Sequence, residues 1–238
     1  MSKTAHSISR VSSMWLEARD AWLESVFDNP RLAKQTRLAG KMDFQAVFMM
    51  GAPGAGKSTI KDSLYLLKHT GFKNLDSDEY KKEHPQYTDE NPGGAGGFLH
   101  LYSLDRQREE FFKTLPTGEP FIYDGTGANP APVIARMTEA KKAGYRIFLV
   151  YVYVPPEISL FRNRNRQRFV PEGGAEGAMA KAKIMDKSFG VLRQHADKFK
   201  VVLNYSNDEW ARAKADMEMY PPPQSARPPR PGSPDYGQ

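Results

Sequence analysis

Residues 44–63 read FQAVFMMGAPGAGKSTIKDS, and this stretch decides the fold of the chain. An apolar run of strand length comes first, the octet GAPGAGKS follows at positions 51–58, and residues typical of a helix come after it. The octet matches the pattern G-x-x-x-x-G-K-[ST] without a gap, between the strand and the helix that this pattern requires. The sequence therefore predicts a phosphate-binding loop, or P-loop, at residues 51–58.

The residue types in this loop suit the binding of a nucleoside triphosphate. Glycines let the backbone turn so that successive N–H groups point at phosphate oxygens, and the following helix adds its positive N-terminal end. Lys57 is expected to reach the β- and γ-phosphates, and the Ser58 hydroxyl to ligate Mg²⁺. The predicted cofactors are therefore ATP and Mg²⁺. The predicted nucleotide-binding residues are Gly51, Ala52, Pro53, Gly54, Ala55, Gly56, Lys57, Ser58 and Thr59.

Strand and helix patterns alternate along the rest of the chain. Because each strand candidate is nearly continuous in apolar character, the alternation predicts an α/β fold, with a parallel sheet covered by helices on both faces. The strand candidates are residues 44–50, 72–76, 120–124, 146–154 and 200–206. The helix candidates are residues 57–68, 99–113, 131–143 and 179–199, and a helix that carries an arginine run at 162–168.

The two ends of the chain differ in character from the P-loop domain predicted for residues 43–220. Apolar residues such as Trp15, Trp22 and Val26 recur at helical spacing, which predicts an N-terminal helical cap within residues 1–42. Residues 221–238 contain seven prolines and few large apolar side chains, so a disordered or polyproline-II tail is expected there.

Composition limits the classes of function. The 238 residues include no cysteine, which excludes disulfides and thiolate metal sites. No stretch approaches the length of a transmembrane helix, and the N-terminus lacks the apolar core of a secretory signal, so we expect a soluble, cytoplasmic protein without a membrane partner. Much of the net charge of +6 lies in four arginines within one short segment, which favours an anion site over a broad nucleic-acid face. A solvated helix face is the alternative.

Carboxylates follow two of the strand candidates. Asp76 and Asp78 end the second strand in LDSDEY, and an extended backbone there would direct both side chains to the same side. One could then accept a proton from a hydroxyl substrate while the other orients that substrate or a metal-bound water. The alternative is a helix N-cap or a solvated turn. The third strand ends in Asp124-Gly125-Thr126-Gly127, unlike the hydrophobic-Asp-Glu ending of a motor ATPase, and could equally be a simple loop turn.

The arginine run occupies the position where small P-loop kinases carry a mobile lid over the γ-phosphate. At helical spacing Arg162 and Arg166 share a face, Arg168 could join them from the lid end, and Arg164 points elsewhere. The sequence therefore predicts an arginine lid.

Together these motifs resemble the zeta-toxin family of P-loop kinases. In that family the P-loop is followed by an Asp-x-Asp pair and then His-Pro, by a strand ending in Glu-Gly-Thr-Gly, and by a Gly-Tyr before the next strand. The matching residues here are Asp76 and Asp78, His84-Pro85, Asp124-Gly125-Thr126-Gly127 and Gly144-Tyr145, with Lys57 preceding Asp78 by the family's interval of 21 residues. The aspartate at 124 is one methylene shorter than the family's glutamate, the lid is compressed, and the glycines at 93–97 have no counterpart.

The resemblance implies a mostly parallel five-stranded sheet and a set of site residues. Asp78 would be the base that activates the acceptor hydroxyl, acting with Lys57 and with Arg166 and Arg168 at the γ-phosphate. Arg162 would help to bind the nucleotide, and the substrate-binding residues would be Asp76, His84, Asp124 and Thr126. The best-known members phosphorylate the 3′-hydroxyl of UDP-N-acetylglucosamine, and an inhibitory protein partner is a further implication.

Three functions are compatible with the sequence. The first is an ATP-dependent kinase for a small hydroxyl substrate such as a nucleotide-activated sugar. The second is a polynucleotide 5′-hydroxyl kinase, whose substrate affinity would fall steeply with salt because nucleic acid contacts several cationic groups. The third is a non-catalytic ATP-binding interaction module, which would show no acceptor-dependent turnover.

Overall fold

The computed structural model describes residues 44–63, 71–88, 97–165 and 174–221. Several predictions lie outside these described residues: the N-terminal helical cap, the tail beyond Pro221, Arg166 and Arg168 of the arginine lid, and the glycines at 93–96. Within the described ranges, no helix is long and apolar enough to cross a membrane.

Five strands form a single sheet in the order β2-β3-β1-β4-β5, and every pairing is parallel. This confirms the predicted α/β class and the five-stranded parallel sheet. In the register, Asp124 of β3 lies between Met49 of β1 and Asp76 of β2, so three strands end side by side. The strands are β1 Gln45–Met50, β2 Lys73–Asp76, β3 Phe121–Asp124, β4 Arg146–Tyr153 and β5 Lys198–Leu203.

Helices connect the strands and cover both faces of the sheet. On one face, Phe48 and Leu149 belong to a buried cluster completed by the third, fourth and sixth helices; on the other, Val47 and Val150 pack with the first, fifth and seventh. Alternate strand residues therefore face two separate cores. The helices are α1 Lys57–Ser63, α2 Ser77–Lys82, α3 Phe98–Thr114, α4 Pro130–Lys142, α5 Pro156–Arg164, α6 Gly174–Leu192 and α7 Asn207–Met219.

Most predicted boundaries lie within one residue of the described ones, but the last third of the chain differs. The helix predicted at 179–199 ends at Leu192, and β5 begins at Lys198, so Phe199 lies in the sheet. The reason is tertiary: Asp197 exchanges hydrogen bonds with Ile147 of β4 through its carboxylate and its N–H, which brings the backbone into the sheet early. Helix α7 was not predicted, although Ser206 caps it by accepting a hydrogen bond from the N–H of Glu209.

Candidate active site

The P-loop follows β1 and has a backbone that requires glycine. Gly54 and Gly56 adopt left-handed φ values of 78° and 81°, which residues with a side chain rarely adopt. A Cβ on Gly51 would lie 2.7 Å from the carbonyl oxygen of Val152 in β4. The loop thus turns tightly against the neighbouring strand, as a phosphate cradle must.

The polar groups at the start of α1 suit a nucleotide with Mg²⁺. Lys57 donates from Nζ to the carbonyl oxygen of Gly51 at 2.9 Å, so its ammonium lies over the loop. Ser58 and Thr59 are exposed at the same end of the helix. The described residues include no cluster of three acidic or histidine side chains that would hold a metal. Mg²⁺ in such sites takes few protein ligands and keeps phosphate and water ligands, so the Ser58 hydroxyl fits that role.

The outer side of the loop is held by side chains from α5 and from the end of β5. Pro53 O accepts hydrogen bonds from Ser159 Oγ at 2.8 Å and Asn163 Nδ2 at 3.0 Å. Ala55 O accepts one from Asn204 Nδ2 at 2.7 Å. These contacts join the loop to two other parts of the fold across long separations in sequence. The sequence analysis singled out none of the three donors, Ser159, Asn163 and Asn204.

Arg162 contacts the loop and the C-terminal helix. Its Nη1 donates to Gly54 O at 2.9 Å and its Nη2 to Asn204 O at 2.7 Å. Nε and Nη2 also donate to the two carboxylate oxygens of Glu209 in α7, both at 2.7 Å, and this interaction holds the pKa of Glu209 below its ordinary value. The residue predicted to bind the nucleotide therefore contacts the loop that would bind it.

The aspartates of LDSDEY are placed differently from each other. The backbone is extended at Asp76, but α2 begins at Ser77, so the extended backbone that would direct both carboxylates to the same side does not continue through Asp78. Asp76 is buried and is the N-cap of α2, because its Oδ1 accepts a hydrogen bond from the N–H of Asp78 at 2.9 Å. Asp78 is exposed, with its Oδ1 3.0 Å from Nζ of Lys81. The helix-cap alternative thus describes Asp76, and the acidic first turn was the signal for it.

A buried lysine, which sequence reasoning missed, joins two strand ends. Lys61 of α1 pairs through Nζ with Asp76 Oδ2 and with Asp124 Oδ2, the latter at 3.1 Å, and all three side chains are buried. Burial alone would lower the pKa of Lys61, but Asp124 and Asp76 raise it above its ordinary value, so the ammonium stays charged. Its position four residues after Lys57 places both lysines on one face of the helix, which was the available signal.

Asp124 lies at the centre of this edge of the sheet. Burial raises the pKa of its carboxyl above the ordinary value, against the opposing charges of Lys57 and Lys61. Gln107 of α3 donates from Nε2 to Asp124 O at 2.7 Å and to Leu75 O at 2.8 Å, and so ties β3 to β2. The P-loop lysine and the strand-end carboxylate therefore lie close enough to influence each other.

Two further predicted residues lie on either side of these strand ends. Thr126 O accepts a hydrogen bond from the N–H of Gly51 at 3.0 Å, which places it against the P-loop. His84, just after α2, has its ring 5.2 Å from that of Phe98 and 4.7 Å from that of Tyr102 in α3. His84 is therefore part of an aromatic group formed by α2 and α3.

The fold and the P-loop define a protein of the P-loop kinase type. The chain belongs to the zeta toxin family, whose model matches residues 31–221, about four fifths of its length. A comparison with curated proteins gave no match.

Several solved structures are similar to this chain. One, from a study of the PezAT chromosomal toxin–antitoxin system of Streptococcus pneumoniae, has a TM-score of 0.54 and 13% identity and covers 74% of this chain and 85% of that chain. Shikimate kinase from Acinetobacter baumannii matches with a TM-score of 0.45 and 19% identity over 79% of this chain and 96% of its own. Deoxyadenosine kinase from M. mycoides has a TM-score of 0.41 and 18% identity over 74% and 97%.

Proposed function

We propose that this protein is an ATP-dependent kinase that transfers the γ-phosphoryl group to a hydroxyl of a small substrate, as its membership of the zeta toxin family suggests. One observation carries the proposal: Asp124 lies beside Met49 of the strand that leads into the P-loop, with Asp76 beside it on the next strand. The phosphate cradle and the strand-end carboxylates thus share one edge of the sheet, where ligands bind in such folds.

Each residue has a role in this proposal. The loop amides and Lys57 hold the β- and γ-phosphates, and Ser58 holds Mg²⁺, which supplies charge neutralisation at the transferred group. The Asp78 carboxylate takes the proton from the acceptor hydroxyl, and the oxygen of that hydroxyl forms a bond to the γ-phosphorus. The bond from the γ-phosphorus to the β–γ bridging oxygen breaks, and ADP leaves. Arg166 and Arg168 stabilise the charge that develops on the phosphoryl oxygens.

The finer proposal concerns the acceptor. On the likeness to its family, we take it to be a nucleotide-activated sugar, contacted from the side of Thr126 and His84. Asp76 and Asp124 are already paired with Lys61, so they would contact the acceptor through atoms not used in that pairing, or position the residues that do. The likeness to a toxin–antitoxin protein extends the proposal to an inhibitory protein partner.

An acceptor screen tests the reaction class. ATP consumption by the full chain is measured with nucleotide sugars, nucleosides and oligonucleotides carrying a 5′-hydroxyl, each with wild type and with Lys57→Ala. We expect turnover only with a small hydroxyl acceptor, and none with Lys57→Ala, because the loop then lacks its only cation. Turnover confined to oligonucleotides and steeply reduced by salt would instead indicate a polynucleotide kinase. ATP binding without turnover on any acceptor would indicate an interaction module.

The role of Asp78 has its own test. Asp78→Asn keeps the size of the side chain but cannot take a proton, so transfer to the accepted substrate should fall by about 10²- to 10⁴-fold. ATP affinity and thermal stability should be retained because the side chain is exposed and the loop is untouched. Asp76→Asn is the control, and a larger loss of transfer there, at unchanged stability, would assign the base to Asp76.

A further inference from the structure

Three consecutive carbonyl groups of the P-loop, those of Pro53, Gly54 and Ala55, each accept a hydrogen bond from a distant side chain. These side chains belong to elements on the outer side of the loop, namely α5 and the residue after β5. Most buried main-chain carbonyls are hydrogen-bonded in folded proteins, and here the donors are side chains from distant elements.

A held carbonyl also fixes an amide. In a trans peptide the C=O of one residue and the N–H of the next point in opposite directions, and no cis peptide bond occurs in the described residues. The N–H of Gly54 is therefore directed away from Ser159 and Asn163, and the N–H of Gly56 away from Asn204. Between them, the N–H of Ala55 donates to Ala52 O within the turn of the loop, at 3.0 Å.

The contacts are close enough to leave little freedom. A Cβ on Gly56 would lie 2.3 Å from Asn204 Nδ2, and one on Gly54 would lie 2.7 Å from Asn163 Nδ2. The amide groups of these two asparagines therefore lie directly against the backbone whose orientation they hold. The left-handed φ values of the two glycines are compatible with this arrangement.

The donors are themselves held in place. Arg162 is fixed by two hydrogen bonds to Glu209 and by a third to Asn204 O, so α5, α7 and the end of β5 form one hydrogen-bonded unit behind the loop. The four hydrogen bonds of Arg162 and the one from Asn204 to the loop all have nitrogen–oxygen distances between 2.7 and 2.9 Å. These contacts use four of the five guanidinium N–H groups, so rotating the whole group toward a phosphate would break its bond to the loop carbonyl.

We infer that these side chains are positioning residues that set the loop amides for phosphate binding before the nucleotide arrives: Ser159, Arg162, Asn163 and Asn204. This inference rests on the proposed binding of ATP at the loop. It assigns Arg162 an indirect role in place of a direct contact with the nucleotide: by holding the carbonyl of Gly54, Arg162 fixes the peptide whose N–H closes the turn onto Ala52 O, between the amides of Gly54 and Gly56. It also gives the C-terminal helix α7 a function, because Glu209 holds Arg162 in position. Preorganised amides bind phosphate better than mobile ones because less order must be imposed on binding.

The test compares two ligands of the loop, ATP and inorganic tripolyphosphate, each with Mg²⁺, by calorimetry on the full chain. Asn204→Leu keeps the approximate size of the side chain but removes the donor to Ala55 O, and Asn207→Leu is the matched control at an exposed position on the same segment. We expect Asn204→Leu to weaken the binding of both ligands by the same factor, about tenfold, and Asn207→Leu to leave the binding of both unchanged.

Different results would overturn the inference. A lower affinity of Asn204→Leu for ATP, with unchanged affinity for tripolyphosphate, would show that Asn204 contacts the base or the ribose. A lower melting temperature with unchanged affinity for both ligands would show a role in stability alone. If wild type does not bind tripolyphosphate, or Lys57→Ala binds ATP as wild type does, the loop is not the phosphate site and the proposed function falls with it.

In a second variant, the affinity for tripolyphosphate should change in opposite directions depending on whether Arg162 holds the loop or contacts the phosphate directly. Glu209→Gln removes the charged partner of the guanidinium without touching the loop. If Arg162 acts through the loop, affinity for tripolyphosphate should fall severalfold because the guanidinium is less firmly held. If Arg162 is instead a direct phosphate ligand, releasing it from Glu209 should raise the affinity, and that rise would reject the inference.

Discussion

Replacing Lys61 by methionine should destabilise the fold strongly. The substitution keeps an unbranched side chain that is one atom shorter and removes the ammonium that pairs with Asp76 and Asp124. The exposed fractions of the three side chains are only 6%, 11% and 7%, so water cannot replace the lost partner. Two carboxylates would then remain buried next to each other without their shared cation.

The magnitude follows from the burial. Removing one partner of a buried ion pair typically costs about 3–5 kcal/mol, and since Lys61 serves two carboxylates we expect about 5 kcal/mol. Domains are stable by only about 5–15 kcal/mol in total. With a urea dependence of about 2 kcal/mol per M, the unfolding midpoint should fall by roughly 2.5 M. Urea titration followed by far-ultraviolet circular dichroism measures this shift.

The pH dependence provides an internal check. Burial already raises the pKa of Asp124, and removing Lys61 raises it further, so the folded variant binds a proton more tightly than the unfolded chain. Its stability deficit should therefore shrink as the pH falls through the raised pKa. In wild type the raised pKa of Lys61 makes stability depend on pH in the alkaline range instead. The contribution of Lys61 to stability is complete below pH about 10.4 and is lost as the pH rises through its folded-state pKa.

The double variant Lys61→Met/Asp124→Asn isolates the cause. Neutralising Asp124 removes one of the two uncompensated charges, so it should restore a large part of the lost stability, as measured by the same titration. The reasoning is refuted if Lys61→Met costs less than about 1 kcal/mol, or if the second substitution makes the variant still less stable.

The remaining predictions concern parts of the fold away from the loop. Arg164→Ala removes an arginine whose Nη1 contacts Asp216 and whose Nη2 contacts Glu176. Differential scanning calorimetry should therefore show a melting temperature about 3–10 °C lower, with ATP affinity unchanged. A loss of affinity at unchanged stability would contradict this. Glu110 has a pKa lowered to about 2, first by its hydrogen bond from Lys73, so wild type should lose this contribution to stability as the pH falls from about 4.5 toward 2. Glu110→Gln should flatten that part of the stability–pH curve, and an unchanged curve would show that the pair contributes nothing.

The elements that the sequence predicted well are those whose signal is local. Each central strand is a continuous apolar run, and the P-loop is defined by consecutive residues between a strand and a helix. The start of β5 was wrong because residues 198 and 199 enter the sheet through their pairing with β4, which no window of sequence contains. Helix α7 had a capping serine and an acidic first turn, but few of its residues are buried, so its apolar pattern is weak.

The candidate site shows the same division between local and tertiary information. The loop residues follow from a contiguous motif, whereas Lys61 gains its role only because α1 crosses the ends of β2 and β3. A lysine in a helix is normally assigned to the surface because lysines are almost never fully buried. Likewise, Asn204 and Ser159 lie 149 and 106 residues from the carbonyls they bind, so no spacing rule could have connected them.

The different surroundings of Asp76, Asp78 and Asp124 bear on which carboxylate would serve as the base. Asp76 and Asp124 are buried and share Lys61, and only 11% and 7% of their side chains are exposed, so an acceptor reaches their oxygens less readily. Asp78 has 61% of its side chain exposed and pairs with Lys81 three residues further along α2. Of the three, Asp78 is therefore the carboxylate most accessible to an acceptor hydroxyl. Asp76 holds it in place from the preceding turn, by accepting the hydrogen bond from its N–H.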